Sequence, residues 1–359
     1  MGEFELIRRF FTRPTPKAIL GVGDDCALLQ PGPGMQMAIS TDMLVAGRHF
    51  FADVDPRTLG HKALAVNLSD LAACGARPLA FTLALALPTA DAAWLQAFSQ
   101  GLLALADAHG CELIGGDTTQ GPLNICITVF GEVPAGGAVP SPVADPQAHN
   151  PRHSGTQAVL PDRPATQAIL RGGAQAGDDI YVSGTLGDAC LALEALLGRI
   201  QLPDAVFAAA RARLEQPTPR VALGLALRGV ASAAADISDG LLGDLGHILE
   251  RSDVGATLDT AIAINLLASH AYLTGASGQF DQQLSPQVTL QCVLAGGDDY
   301  ELVFCAPPSQ RAAVQAAAHA SATPVTRLGQ IDAQPGLRLV DGQGLPVANT
   351  FSSFDHFAS

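Results

Sequence analysis

The chain is predicted to be an α+β protein organised in two halves, and three features of the sequence indicate this fold class. Its 359 residues suffice for about two domains of roughly 150 residues each. With 48% hydrophobic and only 15% charged residues, the composition is typical of a globular, core-forming protein. Helical and strand periodicities alternate in both halves, which are separated by a Pro- and His-rich stretch without periodicity.

In the first half, apolar residues follow strand spacing and helical spacing in turn. The predicted strands cover residues 36–41, 79–87 and 123–133, and the predicted helices cover residues 57–74 and 91–109. Gly110 follows the second helix as a stop signal.

The second half repeats this alternation with shorter elements. Strands are predicted at residues 179–183, 233–237 and 301–305, and helices at residues 184–197, 204–214, 219–230, 241–251 and 287–295. We therefore predict an N-terminal domain at residues 1–137, a mobile insertion or linker at 138–166 and a C-terminal domain at 167–359.

Charge and cysteine usage exclude several classes of protein. The formal net charge of −14 argues against a nucleic-acid partner, which requires a basic face. No apolar run reaches the length of about 18 residues that spans a bilayer, and the first residues do not resemble a secretory signal. The seven cysteines are scattered without a C-x-x-C pair, so we expect reduced thiols in a cytoplasmic protein with no membrane partner.

Aspartate is the residue type that points to chemistry. The chain has 26 Asp against 8 Glu, and 18 Arg against only two lysines, Lys17 and Lys62. Five segments combine Gly or another small residue with Asp at a predicted strand end or tight turn: residues 21–25, 40–42, 115–119, 236–240 and 296–300. A further carboxylate, Asp70, lies on an otherwise apolar helix, where an unpaired charge is costly to bury.

One such segment alone indicates only a turn, because Asp and Gly are ordinary turn residues. Their repetition is better explained by a divalent-metal site, since Mg²⁺ takes hard oxygen ligands and bridges carboxylates to substrate phosphates. The chain has no G-x-x-x-x-G-K-[ST] loop or protein-kinase motif, and neither lysine lies in a Gly-rich loop. The sequence therefore predicts an enzyme that handles phosphate through metal-bound aspartates and a few arginines.

In combination and in this order, the segments resemble the thiamine-monophosphate kinases, a family of the aminoimidazole-ribonucleotide synthetase-like superfamily. The resemblance covers most of the chain outside 138–166, and the matching stretches are residues 2–7, 23–27, 40–50, 62–73, 114–119, 236–241 and 296–302. Two positions depart from the family pattern, which often has Glu in place of Asp298 and Tyr in place of Phe354.

The resemblance implies two α/β domains of the aminoimidazole-ribonucleotide synthetase type. The N-terminal domain is expected to bind ATP and Mg²⁺ and to form a dimeric, β-barrel-like interface. The C-terminal domain is expected to complete the active site. The partners implied are ATP, thiamine monophosphate and a second copy of the chain in a homodimer.

The resemblance also implies roles for individual residues. The implied ligands of several Mg²⁺ ions are Asp25, Ser40, Thr41, Asp42, Asp70, Asp117, Asp236 and Asp239. Among these, Asp42, Asp70 and Asp117 are expected to act in catalysis through the metal. The implied ATP contacts are Gly116, Asp117, Arg171 and Ser238, and the implied contacts to thiamine monophosphate are His49, Asp298 and Phe354.

The implied reaction is in-line transfer of the ATP γ-phosphoryl group to thiamine monophosphate, giving thiamine diphosphate and ADP without a phosphoenzyme. The attacking phosphate oxygen has a second pKa of about 6 and is largely ionised at neutral pH, so no general base is required. Two alternatives stay open. One is another ATP-dependent synthetase of the same superfamily, and the other is a nucleotide- and metal-binding sensor without turnover.

Overall fold

The structure, a computed structural model, describes residues 2–136, 166–269 and 284–353. Within these ranges the chain forms one four-stranded and one seven-stranded sheet, with helices packed on both. The α+β class predicted from the sequence is confirmed. Residues 138–165 of the predicted insertion and the substrate candidate Phe354 lie outside the described residues.

The N-terminal half carries the four-stranded sheet. Its elements are α1 (Glu3–Phe10), β1 (Met35–Val45), α2 (Pro56–Ala73), β2 (Arg77–Leu87), α3 (Ala92–His109), β3 (Glu112–Gln120) and β4 (Asn124–Pro134). The strand order is β1-β4-β2-β3, with only the β2–β3 pair parallel. This sheet stays open at the edges β1 and β3, and neither sheet of the described chain closes into a barrel.

The C-terminal half carries the seven-stranded sheet in the order β11-β10-β7-β9-β5-β8-β6. Its strands are β5 (Asp179–Ser183), β6 (Ala233–Ile237), β7 (Gly255–Asp259), β8 (Glu301–Ala306), β9 (Val325–Asp332), β10 (Gly336–Val340) and β11 (Pro346–Val347). Its helices are α4 (Asp188–Leu196), α5 (Asp204–Glu215), α6 (Val221–Ala226), α7 (Leu241–Ser252), α8 (Thr260–Ala263), α9 (Pro286–Ala295) and α10 (Arg311–Ala320).

The predicted strands and helices are present, with ends that differ by a few residues. Two of the aspartate segments were placed wrongly, because Asp42 lies inside β1 and Asp117 lies inside β3 instead of at a strand end or turn. The elements that the sequence did not predict are α1, β3, β7, α8 and those from α10 onward. No helix in the described ranges is long and apolar enough to cross a membrane.

Helix α2 connects the two halves of the molecule. It is buried on almost all sides and packs on α3, on β1 and β4, and on α6 and β6 of the other half. Close approach is possible because glycines face it: a Cβ on Gly224 of α6 would lie 2.0 Å from the Ala72 carbonyl oxygen. The side chains on the face of α2 that meets α6 and β6 therefore lie between the halves.

Candidate active site

Strand β1 is fastened to α2 by two hydrogen bonds. The Ser40 hydroxyl donates to Oδ2 of Asp70, and the Asp42 backbone N–H donates to Oδ1 of Asn67 over 3.1 Å. Asn67 is buried and in turn donates from Nδ2 to the Ala63 carbonyl, 3.1 Å away. Because alternate strand residues share a face, this pairing turns the side chains of Ser40 and Asp42 toward α2.

The C-terminal half brings two more carboxylates to the same place. Asp236 lies in the buried strand β6 and is 5% exposed. After β6, Oδ2 of Asp244 accepts the backbone N–H groups of Ser238, Asp239 and Gly240 over 3.0, 3.1 and 3.1 Å. Asp244 belongs to the first turn of α7, so it fixes the loop that carries Asp239.

These carboxyl groups disfavour one another's ionisation. Burial, with the charges of Asp70 and Asp239, raises the pKa of Asp42 from 3.8 to about 7. Burial also raises the pKa of Asp70. Burial and the charge of Asp70 raise the pKa of Asp236 well above its ordinary value. A bound cation removes the repulsion, so the cluster is suited to divalent metal.

The loop before β8 is attached to the same region. The Asp298 N–H donates to the Ser238 carbonyl over 2.8 Å. Asp298 and Tyr300 adopt left-handed φ angles of 67° and 51°, which residues other than glycine rarely do. Asp299, between them, is 1% exposed and accepts the Gly187 N–H over 2.8 Å. The two adjacent aspartates thus have different surroundings, Asp299 in the core and Asp298 at the cleft described next.

One cleft of about 710 Å³ collects these groups from both halves. Its acidic lining includes the four clustered aspartates Asp42, Asp70, Asp236 and Asp239, and Glu194 and Glu215 line it as well. Three further predicted site residues line it, namely His49, Ser238 and Asp298. The apolar part of the lining includes Phe50, Phe51, Val54, Leu193 and Leu197. The cleft therefore offers oxygen ligands for a metal–phosphate group together with apolar surface for an aromatic ring.

Lys62, to which the sequence assigns no role, also lines the cleft. Its Nζ donates to Oδ1 of Asp298 over 2.7 Å. Lys62, Val66 and Asp70 follow one another at four-residue intervals on α2, so they share a face, and all three line the cleft. Two charges eight residues apart on an otherwise apolar helix were the signal that could have identified it.

Asp117 and Gly116 are not brought to this cleft within one chain. Asp42 pairs with Ile127 of β4, Ile127 with Leu83 of β2, and Leu83 with Gly116 of β3. Three strand spacings separate the Asp42 and Gly116 backbones, about 14 Å. Asp117 is the next residue and therefore faces the opposite side of the sheet.

Four other candidates also lie outside the cleft lining. Ser40 is one of them, and it is joined to the cleft only through its hydrogen bond to Asp70. Thr41 is exposed on the face of the sheet away from α2, and its hydroxyl lies 2.9 Å from that of Thr128. Asp25 is exposed, and its N–H donates to the side chain of Asp24 over 2.8 Å. Arg171 is exposed as well, but it is near enough for its charge to oppose the raised pKa of Asp70.

No three His, Cys, Asp or Glu side chains among the described residues form a ready-made metal-binding group. This finding is compatible with Mg²⁺, which usually binds one or two carboxylates and completes its shell with water and substrate phosphates. The donor set also fits, because the neighbouring groups of Asp42, Asp70 and Asp236 are hard oxygen donors.

The chain matches two family models of one superfamily. The AIR synthase related protein N-terminal domain matches residues 23–133, and the C-terminal domain matches residues 175–342. The thiamine-monophosphate kinase of Escherichia coli strain K12 is 42% identical over 364 residues, covering 100% of this chain and 99% of the relative. The Haemophilus influenzae enzyme of the same name is 39% identical, with 99% and 98% covered.

Solved structures agree with these relatives. The crystal structure of thiamine-monophosphate kinase from Stenotrophomonas maltophilia K279a has a TM-score of 0.75 and 41% identity, covering 96% of both chains. AaThiL complexed with AMPPCP and TMP has a TM-score of 0.69 and 24% identity, covering 91% of this chain and 89% of that one. At 24% identity, the similarity to AaThiL shows a shared fold and nothing further.

Proposed function

We propose that this chain, which belongs to the thiamine-monophosphate kinase family of AIR synthase related proteins, transfers the γ-phosphoryl group of ATP to thiamine monophosphate. The products are thiamine diphosphate and ADP. The observation that carries the proposal is the single cleft in which a cluster of aspartates from both halves adjoins apolar surface. Such a cleft suits an acceptor that has both a phosphate and an aromatic ring system.

The acidic cluster is proposed to hold Mg²⁺ together with the phosphates of both substrates. Asp42, Asp70, Asp236 and Asp239 supply carboxylate oxygens, and Ser40 orients Asp70 through its hydroxyl. When bound, Mg²⁺ neutralises the phosphate charge that otherwise keeps two anionic substrates apart. The AaThiL complex, which holds AMPPCP and TMP together, supports a donor and an acceptor bound at the same time.

Transfer is proposed to be direct. An acceptor phosphate is already largely ionised at neutral pH, so no side chain has to remove a proton. His49 fits this view, because its Nδ1 accepts the Val45 N–H over 2.9 Å and is thereby engaged in structure. We assign His49 and Asp298 to the acceptor, and Ser238 and Arg171 to the nucleotide. Isolation of a phosphorylated protein formed from ATP alone, at a rate matching turnover, would contradict direct transfer.

A homodimer is proposed to complete the site. The face of the four-stranded sheet away from α2 exposes 61% of Ile39 and 52% of Met43, and exposed apolar side chains on one face favour a protein partner. A second copy packed on this face brings the open edges β1 and β3 of the two sheets together in a barrel-like interface. In that arrangement Gly116 and Asp117 of one subunit can approach the cleft of the other.

Cysteine usage and net charge favour the cytoplasm as the place of action. All seven cysteines are free thiols in the structure, as expected in a reducing compartment. The net charge of −14 argues against a nucleic-acid partner. We propose a cytoplasmic enzyme whose partners are its two substrates and a second copy of itself.

The proposed function is tested by measuring ATP consumption with Mg²⁺ and three acceptors in parallel: thiamine monophosphate, free thiamine and an aminoimidazole-ribonucleotide precursor. We expect turnover only with the monophosphate, and thiamine diphosphate as the product on chromatography. Turnover with the ribonucleotide precursor would assign the chain to another synthetase activity. ATP binding without turnover on any acceptor would instead favour a sensor.

A further inference from the structure

Lys62 is a buried cation whose place in the proposed mechanism is unassigned. It is 3% exposed and is one of only two lysines in the chain. A buried ammonium requires a partner, and Lys62 finds one in Oδ1 of Asp298, 2.7 Å away. The ion pair joins α2 of the N-terminal half to the loop before β8 of the C-terminal half.

Asp298 is held unusually firmly for a cleft residue. Its backbone N–H is bound to the Ser238 carbonyl, and its φ angle of 67° is left-handed. The Tyr300 hydroxyl donates to Oδ1 of Asp298 over 3.3 Å, the same oxygen that accepts from Lys62. Both donors thus bind one oxygen, and no described residue donates to Oδ2 in the hydrogen bonds of the structure.

The exposure of the two partners differs in a way that a purely structural pair does not require. The Lys62 side chain is 4% exposed, whereas that of Asp298 is 31% exposed and lines the cleft. A buried ion pair adds little net stability compared with apolar residues of similar volume. Stabilisation alone therefore does not account for a lysine here, while orientation of a carboxylate toward a ligand does.

We propose that Lys62 is a positioning residue that fixes the Asp298 carboxylate for the acceptor substrate. Asp298 then presents Oδ2 to an N–H donor of the acceptor's nitrogen heterocycle, and Lys62 acts through Asp298 without touching the reacting phosphates. Tyr300 assists from the same side. This inference rests on the proposed function, because it assigns Asp298 to acceptor binding. It predicts that loss of Lys62 weakens acceptor binding and leaves ATP binding and phosphoryl transfer intact.

The test is a double-mutant cycle of Lys62→Met and Asp298→Asn, with steady-state kinetics for both substrates. Each single variant is expected to raise the KM for thiamine monophosphate by about tenfold, the effect of a charge-assisted hydrogen bond. We expect the kcat and the KM for ATP to change by no more than about twofold. Because Lys62 acts through Asp298, the double variant is expected to be no worse than Asp298→Asn alone.

Lys17→Met is the matched control, since it makes the same chemical change at the other lysine, which is outside the cleft lining. Should Lys62→Met fail to fold in a thermal melt, Tyr300→Phe replaces it in the cycle. Tyr300→Phe removes the second donor to Oδ1 and is expected to raise the acceptor KM by about threefold.

The wild-type assay is interpreted first. Absence of turnover with thiamine monophosphate would refute the proposed function itself. If the wild type turns over, an unchanged acceptor KM in Lys62→Met would refute only the role of Lys62. The positioning role would likewise be overturned by a fall in kcat with an unchanged acceptor KM, or by equal increases in the KM values of both substrates. It would also be overturned if the acceptor KM of the double variant rose by the product of the two single-variant effects.

Discussion

Replacing Asp42 with Asn removes one negative charge from the acidic cluster, and the effect on stability is expected to depend on pH and on metal. Burial and the charges of Asp70 and Asp239 raise the pKa of Asp42 from 3.8 to about 7 in the metal-free fold. A carboxyl group whose pKa is raised on folding contributes stability that is fully present below its unfolded pKa. That stability is lost as the pH rises through its folded pKa.

The size of the effect on the free energy of unfolding follows from the difference between the folded and unfolded pKa values of Asp42. Between about pH 5 and about pH 8, ionisation of Asp42 is expected to lower the metal-free free energy of unfolding by about 2–3 kcal/mol, at roughly 1.4 kcal/mol per pKa unit. Asp42 is only half-buried, so this is an upper figure. The variant lacks this ionisation and is expected to be more stable than the wild type at the higher pH.

The assay is urea unfolding in the presence of a chelator at both pH values, followed by circular dichroism. Mg²⁺ added at the higher pH is expected to stabilise the wild type more than the variant, because it binds the ionised cluster. Exposed Asp53 supplies the control, because Asp53→Asn makes the same chemical change outside the cleft lining. A difference between wild type and Asp42→Asn that is the same at both pH values would refute this account of the cluster.

Three further variants test the surroundings of the site. In Gly240→Ala, a Cβ lies 2.8 Å from the backbone carbon of Ala295 at a φ of 118°, so we expect urea unfolding to show a loss of about 2 kcal/mol or more. Glu301→Gln leaves two arginines facing a neutral group in the core, and a loss of about 3–5 kcal/mol is expected in the same measurement. Ile39→Glu places a charge on the proposed dimer face, and light scattering is expected to detect monomers.

Each of these expectations has a clear contrary result. Wild-type stability of Gly240→Ala would mean that the loop before α7 can shift away from α9. Wild-type stability of Glu301→Gln would mean that the arginine pairing contributes nothing to the fold. Leu345→Glu is the control for Ile39→Glu, since Leu345 is 58% exposed in the other half. A dimeric Ile39→Glu variant would exclude this face of the sheet as the interface.

Local sequence was sufficient to select the four clustered aspartates of the cleft as candidates, although it placed Asp42 at a strand end instead of inside β1. Asp236 and Asp239 illustrate this, since a short apolar strand followed by Ser-Asp-Gly and a helix is readable from residue types alone. Asp70 was identified because a charge on an apolar helix needs a partner. Its actual partner, Ser40, is thirty positions away and depends on how β1 packs on α2.

The face and edge on which a residue lies could not be predicted, since strand order is a property of the whole sheet. Asp117 and Asp42 both follow small residues, yet β3 and β1 form opposite edges of one sheet. Lys62 could not be recognised by the loop pattern of phosphate-binding lysines, because it lies inside helix α2. Helix α10 was missed because its alanines give little contrast between its faces.

The most direct test of the account is the Mg²⁺-dependent formation of thiamine diphosphate by the wild type and by Asp70→Asn. Asp70 lies where β1, α2 and β6 meet, and it contributes to the raised pKa values of both Asp42 and Asp236. We predict that the variant keeps the wild-type circular dichroism spectrum and loses activity by a factor of at least about one hundred. Full activity of a folded Asp70→Asn variant, or wild-type turnover in the presence of a chelator, would contradict the metal-bound aspartate mechanism.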